Sequence, residues 1–249
     1  MTELGVNLDA VALLRESRKT REPDPVFAAF LAEQAGASAI NVQLRSDRRH
    51  IQERDVRLLR ESVGIELNLL MAPSQEMIRF ALTAKPDRVT FIPERLESAG
   101  GGGLDVLLNT AQLKERVREM RESSILPSIF IDPTIEQVKA AHQVGAAGVT
   151  ITTEAFAAVT DEVGLARDRE AISREIQKLS DCARLGSKLD LHVGVSHGLS
   201  LRKARLLTEV TGLARVSVGH ALVSRAVMVG FTSAVGEWIE LLRGGPASV

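Results

Sequence analysis

Polar side chains gather near the carboxyl ends of the short apolar segments that recur along this chain. These side chains include Asn7, Asp9, Asn41, Gln43 and Asn68. Burying an amide or a carboxylate costs free energy unless the group is hydrogen-bonded, so a purely structural core does not favour such a concentration. The pattern therefore predicts a functional cavity that the segments share.

A run of charged side chains joins the second apolar segment to a helix that is expected to begin near Gln52. Arg45 and His50 lie in this loop. Guanidinium and imidazole groups beside the free N–H groups of a helix N-terminus suit a phosphate or a carboxylate. The loop therefore predicts an anion site, with a solvated surface loop as the alternative.

Glycine–histidine pairs follow the last two apolar segments. His197-Gly198 comes after the seventh segment and Gly219-His220 after the eighth. Glycine lets backbone N–H groups approach an oxyanion closely. One such pair is weak evidence, but two pairs in successive loops predict a second anion site.

Other residues that could carry chemistry give weaker signals. Glu94 ends the fourth apolar segment and is a candidate acid or base, whereas His192 lies one position off the expected inward-facing set and predicts a structural role. Every lysine, Lys203 included, falls in a predicted helix or loop, which argues against an aldolase with a Schiff-base lysine on a strand end. No zinc-site spacing and no P-loop is present in the sequence.

The elements that must position these residues are strands alternating with helices, which predicts a parallel sheet. Eight such units in 249 residues favour one closed (β/α)8 TIM barrel, a single domain over residues 1–249, over a doubly wound α/β sheet. Active residues of such barrels lie at the carboxyl ends of the strands, and the loops after strands seven and eight commonly bind phosphate. The expected strands are Leu4–Asp9, Ala39–Arg45, Ile65–Met71, Arg88–Glu94, Ser128–Asp132, Gly148–Thr152, Leu189–Val195 and Arg215–Val218.

Capping and helix-breaking residues predict where several helices begin and end. A side-chain acceptor or a proline suits the first turn, and glycine suits the position after the last turn. The run Gly100–Gly103 is expected to be either a hinge for a lid or a plain connector. The expected helix starts are Asp24-Pro25, Ser74, Asp132-Pro133 and Ser200, and the expected ends are Gly36 and Gly186.

The composition argues against several classes of function. The net charge is −1 with charges of both signs interspersed, so no field attracts nucleic acid or an anionic membrane surface. No stretch approaches about 18 uninterrupted apolar residues, so no membrane span is expected. The N-terminus has no basic region followed by an apolar one, so no signal sequence is expected. Cys182 is the only cysteine, so no internal disulfide can form. Its neighbours predict a buried helix position rather than a catalytic thiol. We expect a cytoplasmic protein.

Motifs along nearly the whole chain resemble those of one enzyme family. They include Gly5-Val6-Asn7-Leu8-Asp9, Leu44-Arg45-Ser46-Asp47-Arg48-Arg49-His50, Gly102-Gly103-Leu104-Asp105-Val106, His197-Gly198-Leu199, Gly219-His220-Ala221 and Arg225-Ala226-Val227-Met228. On these motifs the chain resembles the pyridoxine 5′-phosphate synthase family. The resemblance implies condensation of 1-deoxy-D-xylulose 5-phosphate with 3-amino-2-oxopropyl phosphate to pyridoxine 5′-phosphate. It also implies release of phosphate and water, and no metal or organic cofactor.

The resemblance also implies roles for individual residues and a homo-oligomer. An interface is expected to include Phe231–Leu242 with its Trp238. His197 matches an acid–base group of the family. The candidate catalytic residues are His197, Gln43 and Glu94, and the candidate substrate- and phosphate-binding residues are Asn7, Asp9, Arg18, Arg45, His50, Gly198, Gly219 and His220.

The chain departs from the family pattern where the family keeps polar or proton-transfer groups. Leu70 and Thr150 stand in place of glutamates, and Gln43 and Ala10 in place of histidines. One positioned acid or base contributes roughly 10²–10⁴-fold to a rate, so these positions bear on turnover. Three functions stay open: the synthase reaction, a different condensation or elimination on a phosphorylated ketone, and non-catalytic binding of a phosphate ligand.

Overall fold

Eight parallel strands close into a barrel in sequence order. The computed structural model describes residues 2–94, 102–161 and 169–244. The strands are β1 (Glu3–Asn7), β2 (Ala39–Gln43), β3 (Glu66–Met71), β4 (Arg88–Phe91), β5 (Leu126–Ile131), β6 (Gly148–Thr152), β7 (His192–Ser196) and β8 (Arg215–Val218). The first and last strands close the ring, with Gly5 opposite Ser217. The predicted (β/α)8 barrel is confirmed.

Helices follow the strands and pack on the outside of the barrel. They are α1 (Asp9–Arg18), α2 (Pro25–Gln34), α3 (Glu53–Ser62), α4 (Gln75–Ala84), α5 (Thr110–Glu122), α6 (Ile135–Gln143), α7 (Glu154–Asp161), α8 (Arg169–Lys188), α9 (Leu201–Ala204), α10 (His220–Val229) and α11 (Phe231–Leu242), with a 3₁₀ turn at Arg205–Leu207. In the described parts of the chain, none of these helices has the length and apolar character needed to cross a membrane.

Side-chain caps begin several helices at the predicted residues. The Asp24 carboxylate accepts the N–H of Val26 at 2.9 Å at the start of α2. Ser74 and Ser200 cap α4 and α9 with their hydroxyl oxygens. A cap of this kind is worth about 1 kcal/mol, because it gives an acceptor to an N–H group that has none within the helix.

Two predicted helix boundaries are wrong. The N-cap of α6 is Thr134, because the Asp132 carboxylate instead accepts the N–H of Gly103 at 2.8 Å. Gly186 does not end α8, which continues past it. A Cβ at this position would lie 2.5 Å from Val193 Cγ2, so the glycine allows close packing of the helix on β7.

The strands turn their apolar faces outward to the helices and their polar faces into the barrel. Leu67 and Leu69 of β3 are fully buried in the apolar core with Leu59 of α3. Glu66 and Asn68, which alternate with them, bond to side chains of neighbouring strands. Branched apolar residues usually fill the interior of such barrels. Here much of the interior consists of hydrogen-bonded polar layers.

A layer of salt bridges lies at the amino ends of the strands. The Arg88 Nε donates to Glu66 at 2.9 Å, and Arg215 donates to Glu3 at 2.7 Å and also to Glu66. His192 joins this interior layer with its Nε2 3.7 Å from the Glu3 carboxylate. The prediction that His192 lies off the inward-facing set is therefore wrong, because His192 alternates with Val193 and Val195, which pack in the apolar core outside the barrel interior.

A chain of amide and hydroxyl groups crosses the barrel above that layer. Thr90 donates to Asn68 at 2.9 Å, Asn68 donates to Asn41 at 2.9 Å, and Asn41 donates to Ser217 at 3.2 Å. A Cβ at Gly5 would lie 2.7 Å from both Asn41 Nδ2 and Ser217 Oγ, so only glycine leaves room for this chain. These bonds fix the interior below the carboxyl ends of the strands.

Candidate active site

A cavity of about 640 Å³ lies at the carboxyl ends of the strands. This is the end of the barrel where active residues are expected. Most of the predicted site residues meet there. Those that line the cavity are Asn7, Asp9, Gln43, His50, His197, Gly198, Gly219 and His220.

Asp9 is held in one orientation by three hydrogen bonds. Its Oδ1 accepts the N–H of Gln43 at 2.7 Å, its Oδ2 accepts the Asn7 side chain at 2.8 Å, and its own N–H donates to Asn7 Oδ1 at 2.9 Å. Burial raises the pKa of the Asp9 carboxyl, while the charge of His50 and the hydrogen bonds oppose that rise. A carboxyl group with a raised pKa, fixed in a cavity wall, suits proton transfer.

His50 offers one ring nitrogen to the cavity. Its Nδ1 accepts the N–H of Ile51 at 2.8 Å, so the neutral ring carries its proton on Nε2. The loop behind it is fixed by Arg15, which donates to the His50 carbonyl at 3.1 Å and to both carboxylate oxygens of Asp55 at 2.8 and 2.7 Å. The resulting Nε2–H group is a suitable donor for a phosphate oxygen.

The loop after β7 has an unusual backbone that several bonds hold in place. His197 has φ 91° and Gly198 has φ 69°, and the first value is uncommon for a residue with a side chain. Thr153 donates its N–H to Ser196 O at 2.9 Å and its hydroxyl to the carbonyls of Ser196 and His197. Strained backbone of this kind is common at functional sites.

The loop after β8 brings the N-terminus of α10 to the same cavity. Gly219 lies against Asn7, whose Oδ1 would be 3.0 Å from a Cβ at that position. No hydrogen bond joins the N–H groups of Gly198, Leu199, Gly219 or His220 to another described residue. Free N–H groups in two adjacent loops can donate hydrogen bonds to an anion.

The loop between β4 and α5 is closely docked on β5 in its described part. A Cβ at Gly103 would lie 2.3 Å from the backbone nitrogen of Asp132. Leu104 donates its N–H to Phe130 O at 2.7 Å, and Asp105 accepts the Gln137 side chain at 2.9 Å. Residues 100 and 101 lie outside the described residues, so the expected hinge or connector is described only from residue 102 onward, where the chain is packed.

Three predicted residues lie outside the cavity wall. β4 ends at Phe91, so Glu94 is an exposed residue beyond the strand and the predicted strand end is wrong. Arg18 is exposed at the end of α1. Arg45 donates to Asp47 at 2.9 and 3.0 Å, although its charge still lowers the pKa of the nearby Asp9. The functional roles of these three residues stay predictions.

Comparison with known proteins identifies the family. Residues 4–244 match the family model described as "Pyridoxal phosphate biosynthesis protein PdxJ". The chain is 44% identical over 245 residues to the pyridoxine 5′-phosphate synthase of Syntrophotalea carbinolica, covering 98% of this chain and 100% of that one. It is 42% identical over 244 residues to the enzyme of the same name from Geotalea uraniireducens, covering 98% and 99%. The chain belongs to the PdxJ family.

Solved structures of other barrels share the fold alone. KGPDC from Streptococcus mutans matches with a TM-score of 0.65 at 12% identity, covering 98% of both chains. A 4-hydroxy-2-oxoglutarate aldolase/2-deydro-3-deoxyphosphogluconate aldolase matches with a TM-score of 0.63 at 15% identity, covering 96% of this chain and 94% of that one. At such identities these proteins indicate a common architecture and no common chemistry.

The positions where this chain departs from the PdxJ pattern are mostly in the cavity. Gln43 and Leu70 pair across β2 and β3 and both line it, as does Ala10. Thr150 lies lower in β6 and is not among the described lining residues. An amide can orient a substrate but transfers no proton at neutral pH, and a leucine can do neither. Proton transfer in this PdxJ chain must therefore rest on other groups.

Sequence reasoning missed three features of this PdxJ site. It treated Asp9 only as a binding residue. The raised pKa of Asp9 comes from burial in the folded chain, which the sequence does not show. It did not single out Arg15, although an arginine on the buried side of α1 is a signal of an internal ion pair. It set Lys203 aside as a helix residue, yet Lys203 lies in α9, directly after the β7 loop, and lines the cavity. Among the described residues, no group of three His, Cys, Asp or Glu side chains is placed to hold a metal ion.

Proposed function

We propose that this chain is a pyridoxine 5′-phosphate synthase, which condenses 1-deoxy-D-xylulose 5-phosphate with 3-amino-2-oxopropyl phosphate. The observation that carries the proposal is the meeting of Asp9, His50 and His197 in one cavity of a PdxJ-family barrel. Relatives more than 40% identical over 98% of the chain carry the name of this enzyme. The names of these relatives do not favour a different reaction on a phosphorylated ketone.

Acid–base groups and anion sites divide the work within this cavity. Imine formation, elimination and ring closure each need a proton to move, and in this proposal Asp9 and His197 move it. His50 donates its Nε2–H to one phosphate group. The N–H groups of the loops at Gly198 and Gly219 hold the other phosphate, which stays on the product. Gln43 orients the substrate through its amide.

The direct experiment supplies the purified chain with both substrates and measures pyridoxine 5′-phosphate together with released phosphate. We expect turnover that Asp9→Asn reduces by roughly 10²-fold or more, since the amide cannot exchange a proton. Asp190→Asn is the matched control, because Asp190 is exposed in the loop before β7 and its φ of 56° is one that asparagine also adopts. If the wild-type chain makes no product at every substrate concentration tested, the proposal is contradicted.

A second experiment tests the departures at the cavity wall. Leu70→Glu combined with Gln43→His restores the residue types of the family at two adjacent positions of β2 and β3. We expect the double variant to turn over faster than the wild-type chain, because each restored group adds a proton-transfer option. A double variant that folds but turns over more slowly would show that this chain has reorganised its chemistry around Leu70.

We further propose that the chain forms a homo-oligomer through a groove between α1, α2 and α10. This groove of about 900 Å³ is mainly apolar. Exposed side chains at its margin include Phe27, 62% exposed, and Val227, 74% exposed. The expected contact through the Trp238 side chain is wrong, because that side chain is fully buried within its own chain. Phe231, at the start of the same stretch, lines the groove, so an interface that includes part of Phe231–Leu242 stays a prediction.

Light scattering tests this interface. The wild-type chain is expected to give at least twice the monomer mass of 26.9 kDa. Phe27→Lys is expected to shift the mass toward the monomer, because burying an ammonium group in an apolar contact is unfavourable. Leu108→Lys is the control, since Leu108 is 84% exposed and lies away from the groove. A wild-type monomer refutes the proposal.

A further inference from the structure

The imidazole of His197 is exposed in the cavity and is not held there by any side chain that the structure describes. His197 lines the cavity. Among the described residues, none forms a hydrogen bond or an ion pair with its ring. The position of the ring therefore depends first on the backbone that carries it. That backbone has φ 91°, which is unfavourable for a residue with a Cβ atom unless the surroundings hold it.

Thr153, between β6 and α7, provides that support. Its N–H donates to the carbonyl of Ser196 at 2.9 Å, and its hydroxyl bonds to the same carbonyl at 3.1 Å and to the carbonyl of His197. Thr153 is only 1% exposed, and its own carbonyl accepts the N–H of Ala157 in α7 at 2.7 Å. It is not among the described residues that line the cavity. The hydroxyl is therefore a buried group on a fixed support outside the cavity.

The two carbonyls that share this hydroxyl belong to the two peptide planes that meet at the Cα atom of His197. Each plane is rigid, so only the φ and ψ of His197 set the angle between them. A single hydroxyl that bonds to both oxygens fixes φ and ψ together, and with them the direction of the Cα–Cβ bond. The Thr153 hydroxyl therefore sets the direction from which the imidazole enters the cavity.

We propose that Thr153 is the positioning residue of His197, whose flanking carbonyls it holds so that the imidazole stays oriented for proton transfer. The inference rests on the proposed function for the role of His197 in the reaction, but not for the position of the ring. Thr153 acts only through His197, because it does not line the cavity. Rates depend steeply on such positioning, since a misplacement of about 1 Å can lower a rate by about 10²-fold.

The kinetic test removes the hydroxyl and leaves the shape of the side chain nearly unchanged. Thr153→Val should lower kcat in the synthase assay by about 10- to 100-fold and change KM by less than about threefold, because it disturbs proton transfer rather than substrate binding. Thr153→Ser keeps the hydroxyl and should recover most of kcat. Thr160→Val is the matched control, because Thr160 is also buried and its hydroxyl bonds to two carbonyls, those of Phe156 and Ala157 at 2.8 and 2.9 Å, within α7.

A double variant separates the positioning of His197 from general support of the loop. His197→Gln should lower kcat by itself, since an amide transfers no proton at neutral pH. If Thr153 acts through His197, adding Thr153→Val to His197→Gln should lower kcat by less than about a further twofold. A further loss as large as that of Thr153→Val alone overturns the assignment. Wild-type kcat in Thr153→Val, no recovery in Thr153→Ser, or an equal loss in Thr160→Val does the same.

Crystal structures distinguish failure of this assignment from failure of the proposed function. In Thr153→Val the ring of His197 should be displaced by about 1 Å or more, with φ relaxed from its positive value, whereas Thr160→Val should keep the wild-type loop. If the wild-type chain makes no product but the ring moves in Thr153→Val, the proposed function fails and the assignment of position stands. A ring that stays in place overturns the assignment whatever the rate. Circular dichroism checks folding, and Thr153→Ala carries the same tests if the valine variant is not folded.

Discussion

Replacing Glu66 by glutamine tests the salt-bridge layer at the amino ends of the strands. Glu66 accepts from Arg88 at 2.9 and 3.2 Å and from Arg215, and both arginines are 6% exposed. Burial opposes its ionisation, but the hydrogen bonds and charges of the two arginines lower the pKa of Glu66 to about 2. Glutamine has nearly the same size as glutamate, so the variant leaves no void; it removes the charge and replaces one of the two acceptor oxygens by an NH2 donor.

The expected loss follows from the pKa of Glu66. A pKa of about 2 in the folded chain, against an ordinary 4.5, corresponds to about 3 kcal/mol at 1.36 kcal/mol per tenfold change. This contribution is present above pH 4.5 and is lost as the pH falls toward 2. Glu66→Gln should therefore be less stable than wild type by about 3 kcal/mol at pH 7 and by about 2 kcal/mol at pH 3.5.

Urea unfolding followed by circular dichroism measures both differences. Glu61→Gln, at an exposed position of α3, is the control and is expected to change the free energy of unfolding by less than about 0.5 kcal/mol. A loss below about 1 kcal/mol at pH 7 would refute the claim that two buried arginines depend on this carboxylate. A difference that does not shrink at pH 3.5 would refute the pKa argument.

Three further predictions concern single positions. If Asp9 acts as the base, kcat/KM should rise with pH through a pKa above the ordinary value of about 3.9, and a flat profile in that range would exclude it. Gly103→Ala should destabilise the chain by about 1–3 kcal/mol in thermal unfolding, because the new Cβ would lie 2.3 Å from Asp132 N. Gly236→Ala, with nothing within 4 Å of the new Cβ, should be neutral or stabilising in the same assay. Burial raises the pKa of Cys182 to about 11, so a thiol reagent at pH 8 should label it only after denaturant is added, and rapid labelling of the native chain would contradict its burial.

Much of the architecture could be predicted because it depends on local patterns. Alternating apolar and polar residues place the strands, and caps such as Asp24 and Ser74 place helix starts, since both act within a few residues of chain. Gly186 misled the prediction because a glycine that ends a helix and a glycine that admits a neighbouring strand look alike in sequence. The difference is the contact with Val193, which is a tertiary contact.

The candidate site was predictable where its residues follow strand ends. The carboxyl ends of all the strands of a parallel barrel lie on one rim, so the loops that follow them meet there. Three predicted residues therefore line the same cavity: Asn7, His50 and His197. Glu94 was misplaced because β4 ends at Phe91, and strand ends are less clearly marked than strand centres. The electrostatic state of Asp9 could not be predicted, since it depends on the burial of the folded side chain.

In this barrel the residues of the apolar core and the residues that line the cavity are largely different sets. The apolar core is a ring between strands and helices, and the cavity walls contribute little to it. A replacement such as leucine at position 70 therefore changes reactivity without opening a void in that ring. Most enzymes face a trade-off between activity and stability when active-site residues change. In this barrel we expect that trade-off to be weaker at cavity positions such as Leu70, which lie outside the apolar core.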